Sequence, residues 1–140
     1  MISLVENNIT IEEYLYLRSR VSWRALSREQ ADKAIENSLF FVKAVDDEGN
    51  ILGMGRIVGD GAVICYIQDL IVVPEAQGNS IGRKIIERLI EYVKGISVED
   101  TTMMLCLMCA KGREPFYEKF GFVARPNNVL GPGMIQYIMS

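Results

Sequence analysis

Apolar positions recur with two different periods along this chain, and each change of period marks a new element. The opening "ISLVE" suits a short strand. Thr10 and Glu13 stand at capping-box spacing, which predicts a helix from about Ile11 to Arg20. Ser27 and Gln30 repeat that signal ahead of a second helix ending near Asn37. "SLFFVKAV" then reads as a strand, "DDEGN" as a hairpin turn and "ILGMGRIVGD" as the partner strand. "GAVICYIQDLIVV" is apolar on both faces, as a strand in the middle of a covered sheet should be.

After Pro74 the period lengthens. Ile81, Ile85, Ile86, Leu89, Ile90 and Val93 recur every three or four residues, which predicts an amphipathic helix with one face on the sheet. "TTMMLCLM" reads as another strand, and "GREPFYEKFG" as a short helix with Pro115 near its start and Gly121 at its end. The tail "GMIQYIMS" is expected to form a last strand. No repeat or long linker divides the chain, so the pattern predicts one domain over residues 1–140, a mixed α/β (α+β) sandwich with a central sheet.

Composition narrows the chemistry. With 140 residues and 49% hydrophobic content, the chain can bury a core without disulfide staples. A net charge of −3 argues against a nucleic-acid footprint, so any anion site must be local. No stretch reaches the roughly 18 apolar residues of a membrane span, and "MISLVENNITIEEYL" lacks the order of a secretory signal. A cytoplasmic protein without a membrane partner is expected. Cys106 and Cys109 have redox-pair spacing, but they lie in an apolar strand, and neither a redox nor a metal role is expected of them. Histidine is absent, which removes His-based triads and His-ligated zinc. Catalysis would have to use carboxylates, Tyr, Cys, Lys, backbone groups or a cofactor.

The stretch "PEAQGNSIGRKIIERLI" has an unusual helix start. Its first turn holds Arg83 and Lys84, and no acid occurs from Ala76 to Ile86. A helix N-terminus carries roughly half a positive charge, and acidic side chains ordinarily sit there. Small residues at such a point let backbone N–H groups approach a phosphate. Neither the P-loop nor the dinucleotide G-x-G-x-x-G pattern is present. An ordinary strand-to-helix loop with a surface Arg and Lys is the alternative reading.

"DLIVVPEAQGNSIGRKIIERLIEYV" resembles the acetyl-CoA-binding segment of the GNAT superfamily of N-acetyltransferases, where a Gln/Arg-x-x-Gly-x-Gly/Ala loop holds the pyrophosphate. Gln77 and Gly82 match its first and last positions, while Ser80 replaces the middle glycine. A second block, "GREPFYEKFGF", is similar to the family's later motif. The resemblance implies a mostly antiparallel central sheet flanked by helices, acetyl-CoA as cosubstrate, no metal, and commonly a homodimer. It also implies that Leu70, Ile71, Val72, Gln77, Gly78, Asn79, Ser80, Ile81, Gly82, Arg83, Lys84 and Phe116 contact the cosubstrate.

Direct attack of an amine on the thioester would then need three functions. The resemblance gives carbonyl polarisation to backbone N–H groups at a bulge near Ile71 and Val72. It gives protonation of the departing thiolate to Tyr117, a phenol that stays protonated at neutral pH. The base is open. Related glucosamine-phosphate acetyltransferases have a glutamate where this chain has Gln68, so Asp69 is next in line, or a water chain to Asp60, Asp69 or Glu75. The alternative reading of Asp69 is a buried or edge carboxylate paired with Arg56 or a backbone group. A further likeness, to arylalkylamine (serotonin-type) acetyltransferases, implies a small primary amine as acceptor, with Trp23, Phe40, Phe41 and Tyr66 as candidate pocket walls and Asp60 as a candidate cation attractor. An acyl-CoA sensor without transferase activity and a peptide or protein acceptor are the alternatives.

Overall fold

The computed structural model describes residues 1–140, which divide into two compact units, residues 1–107 and 108–140. The first unit is built on a five-stranded sheet in sequential order. It contains β1 (Ser3–Glu6), β2 (Phe40–Val45), β3 (Ile51–Gly59), β4 (Ile64–Val72) and β5 (Met104–Leu107). The first four strands pair antiparallel with one another, and β5 runs parallel to β4. The parallel step requires a crossover, which α3 (Ile81–Ile96) supplies. Helices α1 (Ile11–Ser19) and α2 (Arg28–Glu36) connect β1 to β2.

Both early helices start where the sequence predicts. Thr10 and Ser27 each accept a hydrogen bond from the amide three residues on, and Glu13 and Gln30 return the bond to the cap backbone. The reciprocal pairs satisfy amides that a helix start otherwise leaves open. Helix α3 packs through the apolar stripe, with Ile81, Ile85, Ile86, Leu89 and Val93 buried and Ile90 half-buried.

Its approach to the sheet is close over Gly55. A Cβ at that position would lie 2.8 Å from Leu89 Cδ1 and 2.9 Å from Ile85 Cγ2. Any larger residue at this strand position would force the Leu89 and Ile85 side chains to shift. Successive strand residues face opposite sides, so Phe40 stacks on Tyr92 of α3 at 4.3 Å while Phe41 meets Tyr14 of α1 edge-on at 5.8 Å.

The second unit holds one short helix, α4 (Glu114–Glu118). The expected last strand does not form: residues 131–140 adopt no regular element and are exposed. Residues 108–140 contain no strand, so the tail has no strand within its own unit with which to complete a backbone ladder.

Candidate functional site

The site begins where two neighbouring strands part. β4 pairs with β5 over only four positions, from Ile64 opposite Met104 to Ile67 opposite Leu107. From Gln68 to Val72, β4 keeps β3 as its only strand neighbour. Within this stretch the register with β3 slips: Arg56 faces Gln68 but Met54 faces Ile71. Asp69 and Leu70 therefore stand together opposite Gly55, a β-bulge on β4. Asp69 takes the left-handed conformation at φ +58°.

Hydrogen-bond alternation shows which backbone groups look outward. The Val73 N–H donates to Leu52 O at 2.9 Å, so that pair and, by alternation, Ile71 with Met54 are turned into the ladder. Val72 and Leu70 then turn their N–H and C=O toward the side where β5 has ended. The bulge thus lies a residue or two before the expected place. Leu70 and Val72, rather than Ile71, present the outward amides.

The chain leaves β4 through a single 3-10 turn, Pro74–Ala76, and enters α3 through Gln77–Ser80. Gln77 folds its amide back to donate from Nε2 to Val72 O at 3.1 Å, and Asn79 Nδ2 donates to Ala76 O at 3.1 Å. These side chains shape the loop. Gly78 and Ser80 are both left-handed, at φ +87° and +62°, a geometry that lets consecutive N–H groups converge as in anion nests. A Cβ at Gly78 would meet nothing within 4 Å.

Ser80 occupies the N-cap of α3 yet its hydroxyl makes no cap bond, and the first turn has no acid. The first amides of a helix have no acceptor within it. Those of Ile81, Gly82 and Arg83 are in that position, while Lys84 N–H bonds Ser80 O at 3.1 Å. Arg83 leans toward Glu87, 3.8 Å away on the exposed surface. Open amides, a 16-residue helix dipole and two cations suit a diphosphate. The donor set fits the cosubstrate that the loop motif implies.

Asp69 is the single buried charged residue of the core. Its Oδ1 accepts from Arg18 Nη1 at 2.6 Å, and its Oδ2 accepts from Tyr14 Oη at 2.5 Å and Arg56 Nε at 2.8 Å. Burial first, and the neighbouring carboxylate second, push the Tyr14 phenol up to about 12. The pairing with Arg56 was foreseeable, but Tyr14 and Arg18 were not singled out in the sequence. Their four-residue spacing on a predicted helix, facing a strand with one acid among apolar residues, is the signal that pointed to them.

The other candidate carboxylates are engaged elsewhere. Asp60 Oδ1 accepts from the amides of Ala62, Val63 and Ile64 at 2.8–3.0 Å, and these bonds hold its carboxyl below the usual range. Glu75 pairs through both oxygens with Arg20 at 2.6 and 2.8 Å. Phe40 and Phe41 are core residues, 2% and 4% exposed, and Phe41 borders a cavity that lies between Asn7, Ile9, Ile35, Ser38 and Leu39. Trp23 is partly exposed, with the Arg18 guanidinium 5.4 Å from its ring centre. Cys65, Cys106 and Cys109 are free thiols.

In the second unit, α4 presents Phe116 and Tyr117 side by side, their rings edge-to-face at 5.0 Å. Phe122 also meets the Tyr117 ring edge-to-face at 6.0 Å, and Gly121 at φ +90° lets the chain turn back after the helix. Burial in this aromatic cluster is the main reason the Tyr117 phenol titrates above its ordinary value, with Cys109 adding to the shift.

Comparison with known proteins agrees with this geometry. The family model described as "Acetyltransferase (GNAT) family" matches residues 8–122. An uncharacterized N-acetyltransferase of Pyropia yezoensis is 25% identical over 89% of this chain and 71% of its own length. Serotonin N-acetyltransferase 2, chloroplastic, of rice (Oryza sativa subsp. japonica) is 27% identical over 81% of this chain, which spans only 56% of the rice protein. Among solved structures, a probable acetyltransferase of unknown function from meticillin-resistant Staphylococcus aureus superposes with a TM-score of 0.83 at 33% identity. That match covers 98% of this chain and 100% of the other. The glucosamine-6-phosphate N-acetyltransferase of Arabidopsis thaliana shares the fold at 16% identity and a TM-score of 0.73, covering 99% of each chain. No helix is long and apolar enough to cross a membrane. With the open β4 edge and the uncapped α3 start in place, the match over residues 8–122 makes this chain a member of the GNAT acetyltransferase family.

Proposed function

We propose that the protein transfers the acetyl group of acetyl-CoA to the primary amine of a small molecule by direct attack. The observation that carries this reading is the continuity of the outward Leu70 and Val72 amides with the open amides at the start of α3, joined by the Gln77 bond to Val72 O. When bound, acetyl-CoA supplies the activated acyl group. The chain's part is to hold the diphosphate at Gly78–Lys84 and to offer the Leu70 N–H to the oxygen on which charge develops. Such preorganised donors are often the largest catalytic contribution.

Tyr117 is the proposed general acid. Its aromatic surroundings keep the phenol protonated through neutral pH, as a proton donor to a thiolate requires. The engagement of Asp69, Asp60 and Glu75 supports loss of the ammonium proton to solvent water instead of directly to a carboxylate. The relationship to a serotonin acetyltransferase supports an arylalkylamine as the first acceptor to try.

Incubation of the protein with acetyl-CoA and a panel of arylalkylamines, polyamines and short peptides, with release of free thiol as readout, tests the proposal. Thiol release with a small amine is expected. Release only with peptides would move the acceptor class, and tight binding without release to any amine would make the protein an acyl-CoA sensor.

A further inference from the structure

The bulge that turns the Leu70 amide outward is made by a residue in a costly conformation. A left-handed non-glycine backbone is unfavourable, although Asp tolerates it better than most. Such a residue persists when its surroundings over-determine it. Asp69 is over-determined by three hydrogen bonds from two elements: Tyr14 and Arg18 on α1, and Arg56 on β3. The guanidiniums are held in turn, with Arg56 Nη1 on Ser38 Oγ at 3.1 Å and Arg18 Nη2 on Arg24 O at 2.8 Å.

Both carboxylate oxygens face these partners, and the side chain is fully buried. A group so placed cannot meet an incoming amine without dismantling the cluster. It can, however, fix the peptide that follows it.

We infer that Tyr14, Arg18, Arg56 and Asp69 form a lock that sets the β4 bulge and so aims the Leu70 N–H. Asp69 is then a positioning residue, not the base. This inference rests on the proposed use of the Leu70 amide as the carbonyl donor. It extends that use to residues on α1 and β3 that never touch the substrate.

The test uses the full chain, wild type beside Tyr14→Phe and Asp69→Asn. In the ligand-free proteins, 15N NMR follows the amides of Asp69, Leu70 and Ile71, with α3 amides as a control for folding. With carbonyl-13C acetyl-CoA bound, difference infrared spectroscopy reads the thioester C=O stretch, which moves to lower frequency when a donor polarises it.

The lock predicts a downshift in wild type that largely disappears in the variants. Displaced Leu70 resonances, unchanged α3 resonances and acetyl-CoA affinity within about threefold of wild type should accompany it. Variants that keep the wild-type stretch and Leu70 resonance would overturn it. Should Asp69→Asn fail to fold, Tyr14→Phe decides alone, since its ring still packs on Phe41. Wild-type protein that binds acetyl-CoA without any downshift would overturn the carbonyl-donor reading itself, and the lock with it.

Discussion

Gln77 Nε2 lies 3.1 Å from the carbonyl oxygen of Val72, so the first residue of the loop motif is tied to the last residue of β4. This bond joins the two halves of the candidate site. A net contribution of about 1 kcal/mol is ordinary for such a bond. Gln77→Ala should therefore weaken CoA binding by about fivefold with little change in fold, as calorimetry and circular dichroism would show. Unchanged affinity would mean that the tether does not shape the cradle.

Ser80 takes a left-handed backbone without the compensation of a cap bond. Ser80→Gly should relieve strain of about 1 kcal/mol and raise the thermal midpoint by roughly 3 °C. The loss of freedom on folding is larger for glycine and reduces the gain. Coenzyme A affinity should hold or improve, because the amide stays in place. A lower midpoint in differential scanning calorimetry would count against the strain.

Tyr117→Phe should lower turnover by about 100-fold or more while leaving CoA affinity nearly intact, since only the acidic proton is removed. Burial raises the phenol above its ordinary value of 10.0. The group acts protonated, so wild-type activity should hold across neutral pH and fall only above that value. A pH–rate profile in Tyr117→Phe with the same turnover as wild type would remove the residue from the mechanism.

Stability at high pH should report on Tyr14. Its phenol is raised to about 12 in the folded protein from 10.0 in its absence. A raised value favours the protonated form in the native state, so this contribution is complete below pH 10 and is lost as pH climbs toward 12. Denaturant unfolding between these limits should show a falling midpoint in wild type. Tyr14→Phe should start lower and fall less steeply, and parallel slopes would contradict the assignment.

Much of the fold was legible because it depends on local chemistry. The capping pairs Thr10/Glu13 and Ser27/Gln30 and the Ile81–Val93 stripe each state an element's start or face in a few neighbouring residues. The cradle was legible for the same reason, since a missing acid and a missing cap can be seen in one helical turn. The bulge was only approximately placed, because register depends on how β3 and β4 meet, which neither strand shows alone. The Asp69 cluster needed tertiary contacts more than 50 residues apart in sequence for two of its three bonds. The tail misled because "MIQYIMS" has strand composition, whereas a strand also requires a neighbour.

Titration of the 15N-labelled protein with coenzyme A tests the central claim most directly, because it reads binding and position in one experiment. The account predicts saturable shifts concentrated in the amides of Gly78 through Lys84 and extending to Leu70 and Val72. Absence of shifts at millimolar coenzyme A, or shifts centred on any other part of the chain, would contradict it.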